Sequence, residues 1–299
     1  MGTDGISDAE LARRLVLHEA LAQQTPAREL RDLGDGWLFH DPSDAEPFWN
    51  RIIAPRWPAN ASSFDRRLDE VITLFATIGR LPHVRPLPAG CEPPDMTRRL
   101  EAAGFDMMGA DRRMVFVGAA SLAATVADSA ASVATALSGA EITISRETGE
   151  LSRGPRTRAA ARRSSPERRR WAVDASIVLA EAFRVGEIRR IAIENDVLAC
   201  VGRPGCAVVL VSVDGEPAAI ARRATTVDGS YLSSIGTRPK FQGRGLGALV
   251  TMLAVRDAID AGSAMVHLAV EADNETARQL YERLGFAVVG DPAPDLLLH

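Results

Sequence analysis

Six residues in the last fifth of the chain, Gln242-Gly-Arg-Gly-Leu-Gly247, open a run of helical periodicity and have the composition of an anion cradle. Glycines lack a Cβ, so the backbone can curl until successive amide N–H groups, unsatisfied at a helix start, point to one spot. The helix dipole adds positive potential there. The guest this suits is a diphosphate, to which Arg244 adds a charge-assisted bond. Three glycines at alternate positions weaken a helix start unless something uses them, which weighs against an ordinary turn. Further on, Ala277, Leu280, Tyr281 and Leu284 fall at i, i+3, i+4 and i+7, so Tyr281 lies on the buried face of its helix. A phenol of pKa about 10 is a proton donor at neutral pH. On the preceding strand His267 shares a face with Ala269 and Glu271, and His267 and Glu271 are both candidate proton acceptors, beside the plainer roles of core or surface residue.

The glycine run does not fit G-x-x-x-x-G-K-[ST], which excludes a P-loop. Gly243, Gly245 and Ala248 do fit G-x-G-x-x-A, and Glu271 ends the next strand where the ribose-binding acid of a dinucleotide fold would stand. Against that reading, residues 238–242 separate strand from glycines, and the strands before them form a meander rather than a βαβ start.

That meander is written in two Asp-Gly turns, Asp214-Gly215 and Asp228-Gly229, which separate runs from Ala207 to Val213, Pro217 to Thr225 and Ser230 to Thr237. After the glycines come a helix to about Asp260, a strand from Met265 to Val270 and a helix from Asn274 to Leu284 that stops at Gly285. Ahead of the meander, Ser165-Pro166 starts a helix with Trp171, Ala175, Val178 and Ala182 on one face. The pattern is α+β with a mixed, mostly antiparallel sheet flanked by helices. The first half echoes it: a helix from Ser63 to Ile78, a strand from Val84 to Leu87, a helix from about Pro94 to Ala103, then Gly104-Phe105. Phe64 to Phe105 and Gly245 to Phe286 span the same 41 positions, as two copies of one plan would. The first copy has no glycine loop, and Leu100 stands where the second has Tyr281, so it reads as non-catalytic. Its Trp37, Phe39, Phe48, Trp49 and Trp57 suit an aromatic core or a cleft wall.

The 299 residues suffice for two domains, divided at 135/136 within an Ala- and Ser-rich stretch over residues 118–139 that reads as linker or helix. Residues 146–170 hold nine Arg against three Glu and read as a solvated loop. A formal charge of −4 gives no basic surface for nucleic acid, and the composition, 46% hydrophobic and 25% charged, is that of a globular chain. Cys91, Cys200 and Cys206, without C-x-x-C spacing, support neither a disulfide framework nor a zinc site, which fits a reducing cytoplasm. No leader, lipid anchor or spanning segment is visible. The expectation is a cytoplasmic monomer or homodimer with no metal and no membrane or nucleic-acid partner.

Gln242, Gly245 and Gly247, preceded by a strand and Pro239 and followed by Asn274, Ala277, Leu280-Tyr281, Leu284 and Gly285-Phe286, resemble the GNAT superfamily of acyl-CoA-dependent N-acyltransferases, whose fingerprint is Q/R-x-x-G-x-G/A. The resemblance covers residues 141 to 290, and more weakly 30 to 117, so the chain is similar to a tandem GNAT protein: a degenerate GNAT-like domain over 1–135 and a catalytic one over 136–299. It implies that the amides of Gln242, Gly243, Arg244, Gly245, Leu246, Gly247 and Ala248 hold the diphosphate of acetyl-CoA as cosubstrate. It further implies that Ile235 and Thr237 pair with the pantetheine arm, that Asn274 and Ala277 contact it, and that Tyr281 protonates the departing thiolate. The strand from Tyr231 to Thr237 lacks the carboxylate that serves some members as base. The activity implied is acetyl transfer to a primary amine of a small molecule or peptide by direct attack in a ternary complex. The alternative is an acyl-CoA-binding sensor without turnover.

Overall fold

The computed structural model describes residues 7–87, 91–148, 165–201 and 203–299; most of the arginine-rich stretch therefore lies outside the described residues. The elements begin with α1 (Asp8–Ala22), β1 (Glu29–Asp32), β2 (Trp37–His40), β3 (Arg51–Ile53), α2 (Ala61–Thr77), β4 (His83–Arg85), α3 (Met96–Ala102) and β5 (Asp106–Phe116). They continue with α4 (Leu122–Ala136), β6 (Ile142–Thr148), α5 (Ser165–Ala182), α6 (Glu187–Val201), β7 (Cys206–Val213), β8 (Glu216–Thr226) and β9 (Gly229–Thr237). The last are α7 (Leu246–Asp260), β10 (Val266–Glu271), α8 (Glu275–Arg283) and β11 (Phe286–Leu297). They pack as two compact units, one of residues 1–115, 267–279 and 287–299 and one of residues 116–266 and 280–286, neither of which is a sequence half.

In the first unit the strand order is β1-β2-β3-β4-β11-β5-β10. The helix–strand–helix–strand plan occurs twice along the chain, as α2-β4-α3-β5 and as α7-β10-α8-β11. The closing strands are exchanged between the copies: β11 pairs antiparallel with β4, Leu296 opposite Val84, and β5 pairs antiparallel with β10, Met114 opposite Leu268. One face of this sheet is apolar because Ile52, Val84 and Leu296 alternate onto it and meet Phe64, Leu68, Val71 and Phe75, the i, i+4, i+7, i+11 stripe of α2. The Asn60 side chain caps that helix by accepting from the Ser63 amide at 2.9 Å. The aromatic residues of the first half are core: Phe39 and Trp49 are buried with Trp37 and Phe48 packed against them, and Trp57 lies under α2.

The opposite face lies under α1, where Val16 and Ala20 pack with Phe39 and Ile53 and a buried charged network stands beside them. Glu19 of α1 is bound by Arg51 at 3.2 Å and by Arg113 at 3.0 Å, with Arg85 at 3.5 Å. Asp295 takes Arg51 at 3.3 Å and His83 at 3.1 Å, and Arg85 also pairs with Asp111. Burial alone would raise the Glu19 pKa, but Arg85, Arg113 and Arg51 together hold it below the ordinary value. Such a network leaves a full charge uncompensated if one member is lost.

On the same face His267 is fully buried, its Nε2 2.7 Å from Nδ1 of His18. Its pKa lies well below 6.5, first because burial disfavours the imidazolium, then because His18 and Arg113 add positive charge. A base depressed in the folded state contributes stability that is complete above its unfolded pKa and lost as pH falls below it. We expect a loss of about 1 kcal/mol between pH 7 and 5.5 from this one group. Urea midpoints at the two pH values check it, and a His267→Gln variant should show a shallower fall over that interval.

In the second unit β6, β7, β8 and β9 form an antiparallel sheet in chain order. Asp214 and Gly215 take φ of 51° and 75°, the two left-handed residues that a tight hairpin turn needs and that Asp-Gly supplies. α5 packs on β8 and β9, as does α7. Alternation along β8 sends Arg222 to Asp196 of α6 and turns Arg223 toward the charge of Asp257 on α7, so the helices take opposite faces. The Ala- and Ser-rich stretch is helix α4, which lies along α7.

One expectation fails here. Cys200 lies in the last turn of α6, Cys206 starts β7, and the two are disulfide-bonded, leaving Cys91 buried and free. The turn between helix and strand brings their Cα atoms to 5.7 Å, within bridging range, which residue spacing alone does not reveal. The cysteine pattern therefore gives no support for a reducing compartment.

Candidate functional site

The site in the second unit starts at an irregularity in the pairing of β9 with β8. Ser234 and Ile235 together oppose Ala221, a bulge at which Ser234 takes φ of 50°. An extra residue bends the strand and frees backbone groups from the ladder. Beyond it Thr237 ends β9, and the Gln242 side-chain amide donates to the Thr237 carbonyl at 3.1 Å, tying the loop to the strand end. Thr237 and Leu280 both approach Gly247, at 3.5 and 3.7 Å from the position of a Cβ there, so strand end, helix start and α8 meet at one place.

Gly243 and Gly245 take φ of 73° and 79°, the left-handed region that favours glycine. Gly247 has no such φ and already lies within α7, where alanine would make only ordinary contacts. The curl has the consequence expected of it. Among the described residues, the backbone N–H groups of Gly243, Arg244, Gly245, Leu246, Gly247 and Ala248 donate to no protein acceptor; the first amide to do so is that of Leu249, to the Gly245 carbonyl at 3.0 Å. Six consecutive open donors at the positive end of a 15-residue helix make a site for a doubly or multiply charged anion. Arg244 is exposed at the mouth, its guanidinium 5.9 Å from the Phe241 ring centre, and forms no ion pair among the described residues. The other rim is α4: the Ser132 Oγ and Val133 Cγ2 lie 3.2 and 3.3 Å from where a Cβ on Gly245 would stand.

Tyr281 is buried on α8, its ring 5.9 Å from that of Phe286, which in turn stands 5.3 Å from Phe116. Burial pushes its phenol up to about 12, so it stays protonated at any physiological pH. Its hydroxyl bonds nothing among the described residues, which leaves the proton available to a ligand.

The remaining sequence candidates fall into other settings. Asn274 is the N-cap of α8, its Oδ1 accepting from the Ala277 amide at 3.1 Å, so its amide nitrogen alone is left for a ligand. Ala277 is half-buried one turn before Tyr281 on that helix. Ile235 and Thr237 are half-buried on β9. Glu271 is exposed at the end of β10, opposite Asp111. His267 lies on the same strand face, but α1 covers it there and pairs it with His18. Sequence reasoning missed a polar set on the α6 side of the bulge: buried Arg222 donates from Nε to Ser233 Oγ at 3.0 Å and pairs with Asp196. An aspartate within a helix facing an arginine in an apolar strand was the available signal. Among the described residues no three His, Cys, Asp or Glu side chains gather to hold a metal, and no helix is long and apolar enough to cross a membrane.

Solved structures match this architecture. A GCN5-related N-acetyltransferase from Kribbella flavida superposes with a TM-score of 0.61 at 17% identity, covering 96% of this chain and 95% of that one. A tandem GNAT protein from the clavulanic acid biosynthesis pathway gives 0.54 at 14% identity, over 99% and 89%. The fold is that of the GCN5-related N-acetyltransferases, in the tandem form that the internal echo predicts. Residues 210–291, from β7 to the start of β11, match the family model described as FR47-like protein. A mycothiol acetyltransferase from Nocardiopsis dassonvillei is 42% identical over 84 residues, 25% of this chain and 26% of that protein. Another, from Mycobacteroides abscessus, is 48% identical over 54 residues, 18% of each. These matches span about a quarter or less of the relatives' length. The structures share the fold over the whole chain, and the family model and the named relatives match only part of it.

Proposed function

We propose that the chain is an N-acyltransferase that moves an acetyl group from acetyl-CoA directly to a primary amine of a small molecule or peptide. The observation that carries this is the row of six open amides from Gly243 to Ala248 at the start of α7, inside the stretch that matches the FR47-like family model; relatives similar to part of the chain are named acetyltransferases. The amides hold the diphosphate and Arg244 adds charge from the mouth. Ile235 and Thr237, at and beyond the bulge, offer backbone groups to the pantetheine arm, Asn274 offers its side-chain Nδ2, and Ala277 contacts the arm from α8.

In the reaction the neutral amine attacks the thioester carbonyl, forming the C–N bond and an oxyanion. Collapse of that intermediate breaks the C–S bond and leaves a thiolate whose conjugate acid titrates near about 8.5. Tyr281, kept protonated by its burial, gives its proton to that sulfur and recovers one from solvent. The amine's own proton goes to water or to exposed Glu271; His267, enclosed with His18, keeps α1 on the sheet rather than serving as base in this reading. No cysteine lies between β9 and α8, so no acyl-enzyme is formed.

The test is a thermal shift with acetyl-CoA followed by thiol release across an amine panel. A ligand at 100 times its Kd stabilises by about 2.7 kcal/mol, enough to move the midpoint by several degrees. An absent shift removes the cosubstrate assignment. A shift with no thiol release from any amine makes the protein an acyl-CoA sensor instead.

A further inference from the structure

We infer that α4, the helix between the two repeats, is a wall of the cosubstrate site and that Ser132 is a further hydrogen-bond donor to the diphosphate; this rests on the reading of the glycine loop given above. The stretch looks like a linker in sequence, almost all Ala, Ser and Thr. Its buried and half-buried residues nevertheless form one stripe, Leu122, Thr125, Val126, Ser129 and Val133, continued by Leu137 after the helix end. That stripe holds it along α7.

The hydroxyls of α4 are not alike. Thr125, Ser129 and Thr135 each donate to the carbonyl four residues back, at 3.0, 2.8 and 2.9 Å. This is the usual fate of a hydroxyl in a helix with nothing better to bind. Ser132 is on the same helix with the same option, and its hydroxyl bonds nothing among the described residues. It stands instead 3.2 Å from the place of a Cβ on Gly245, beside the open amides. Gly245 thereby answers two needs: its φ of 79°, and the clearance that lets α4 approach. A hydroxyl here adds a neutral donor from outside the loop.

The experiment is calorimetric titration of acetyl-CoA into the full chain and three variants. Ser132→Ala keeps a good helix former at an exposed position, so the fold is retained. A hydrogen bond to a charged group is worth about 1.5 kcal/mol or more, so its loss should weaken Kd about tenfold. Ser132→Asp should weaken it beyond about 100-fold, because a carboxylate would face the diphosphate. Ala131→Asp, exposed on the next position of the same helix, adds the same charge and should leave Kd within about twofold. Wild-type affinity in Ser132→Ala, tighter binding in that variant, or equal losses in the two Asp variants would each overturn the inference. Failure of the wild-type chain to bind acetyl-CoA would instead overturn the reading on which it rests.

Discussion

Gly243→Asp should lose acetyl-CoA affinity by about 100-fold, while Gly243→Asn stays within about tenfold of the wild-type chain. The pair is chosen because Gly243 combines a φ of 73° with open space: no atom lies within 4 Å of where its Cβ would be. Asn and Asp are the side chains that best tolerate that backbone region, so both variants should fold, with the strain common to the two. What differs is one charge. Two unit charges 4 Å apart at an effective dielectric of 20 repel by about 4 kcal/mol, and exposure of the loop screens that to roughly half. Gly245→Asp would be a poorer test, since its Cβ would press on Ser132 and Val133 and move α4 as well. Calorimetry with both variants checks it; equal affinities would mean that the diphosphate does not sit over this loop.

Tyr281→Phe should lower kcat by about 10² to 10⁴ with little change in KM, the range expected when a positioned general acid is lost. The substitution removes one oxygen that makes no hydrogen bond among the described residues and leaves the ring against Phe286, so stability should hold. Because its phenol is pushed up to about 12, the proton is present across the working range, and loss of Tyr281 as acid cannot account for an alkaline fall in rate below about pH 11. Steady-state rates with the best amine decide it. Unchanged kcat in the variant would show that the thiolate leaves without help from this residue.

The legible parts of this molecule were those encoded locally. The β7–β9 meander could be read because Asp-Gly is a chemical requirement of its turns, and the glycine loop because glycine excess at a helix start is costly without a use. Helix α8 was found from the i, i+3, i+4, i+7 stripe ending in Tyr281. The rest depends on partners remote in sequence. Strand alternation puts His267 and Glu271 on one face but does not say that α1 covers part of it and brings His18. Strand β11 carries Pro292 and Pro294, which donate nothing to a ladder, and so reads as a loop beyond Gly285-Phe286. The Cys200–Cys206 bridge and the polar set of Asp196, Arg222 and Ser233 likewise join elements that only folding brings together.

The exchanged closing strands carry a consequence for inheritance. Each copy of the plan places its final strand in the other copy's ladder, β5 beside β10 and β11 beside β4. A gene fragment ending between the copies would encode a piece with β5 but no β10 to receive it, and β4 without its β11. The copy without a glycine loop is therefore not dispensable: deleting it would strip the remaining half of ladder partners that it cannot supply itself.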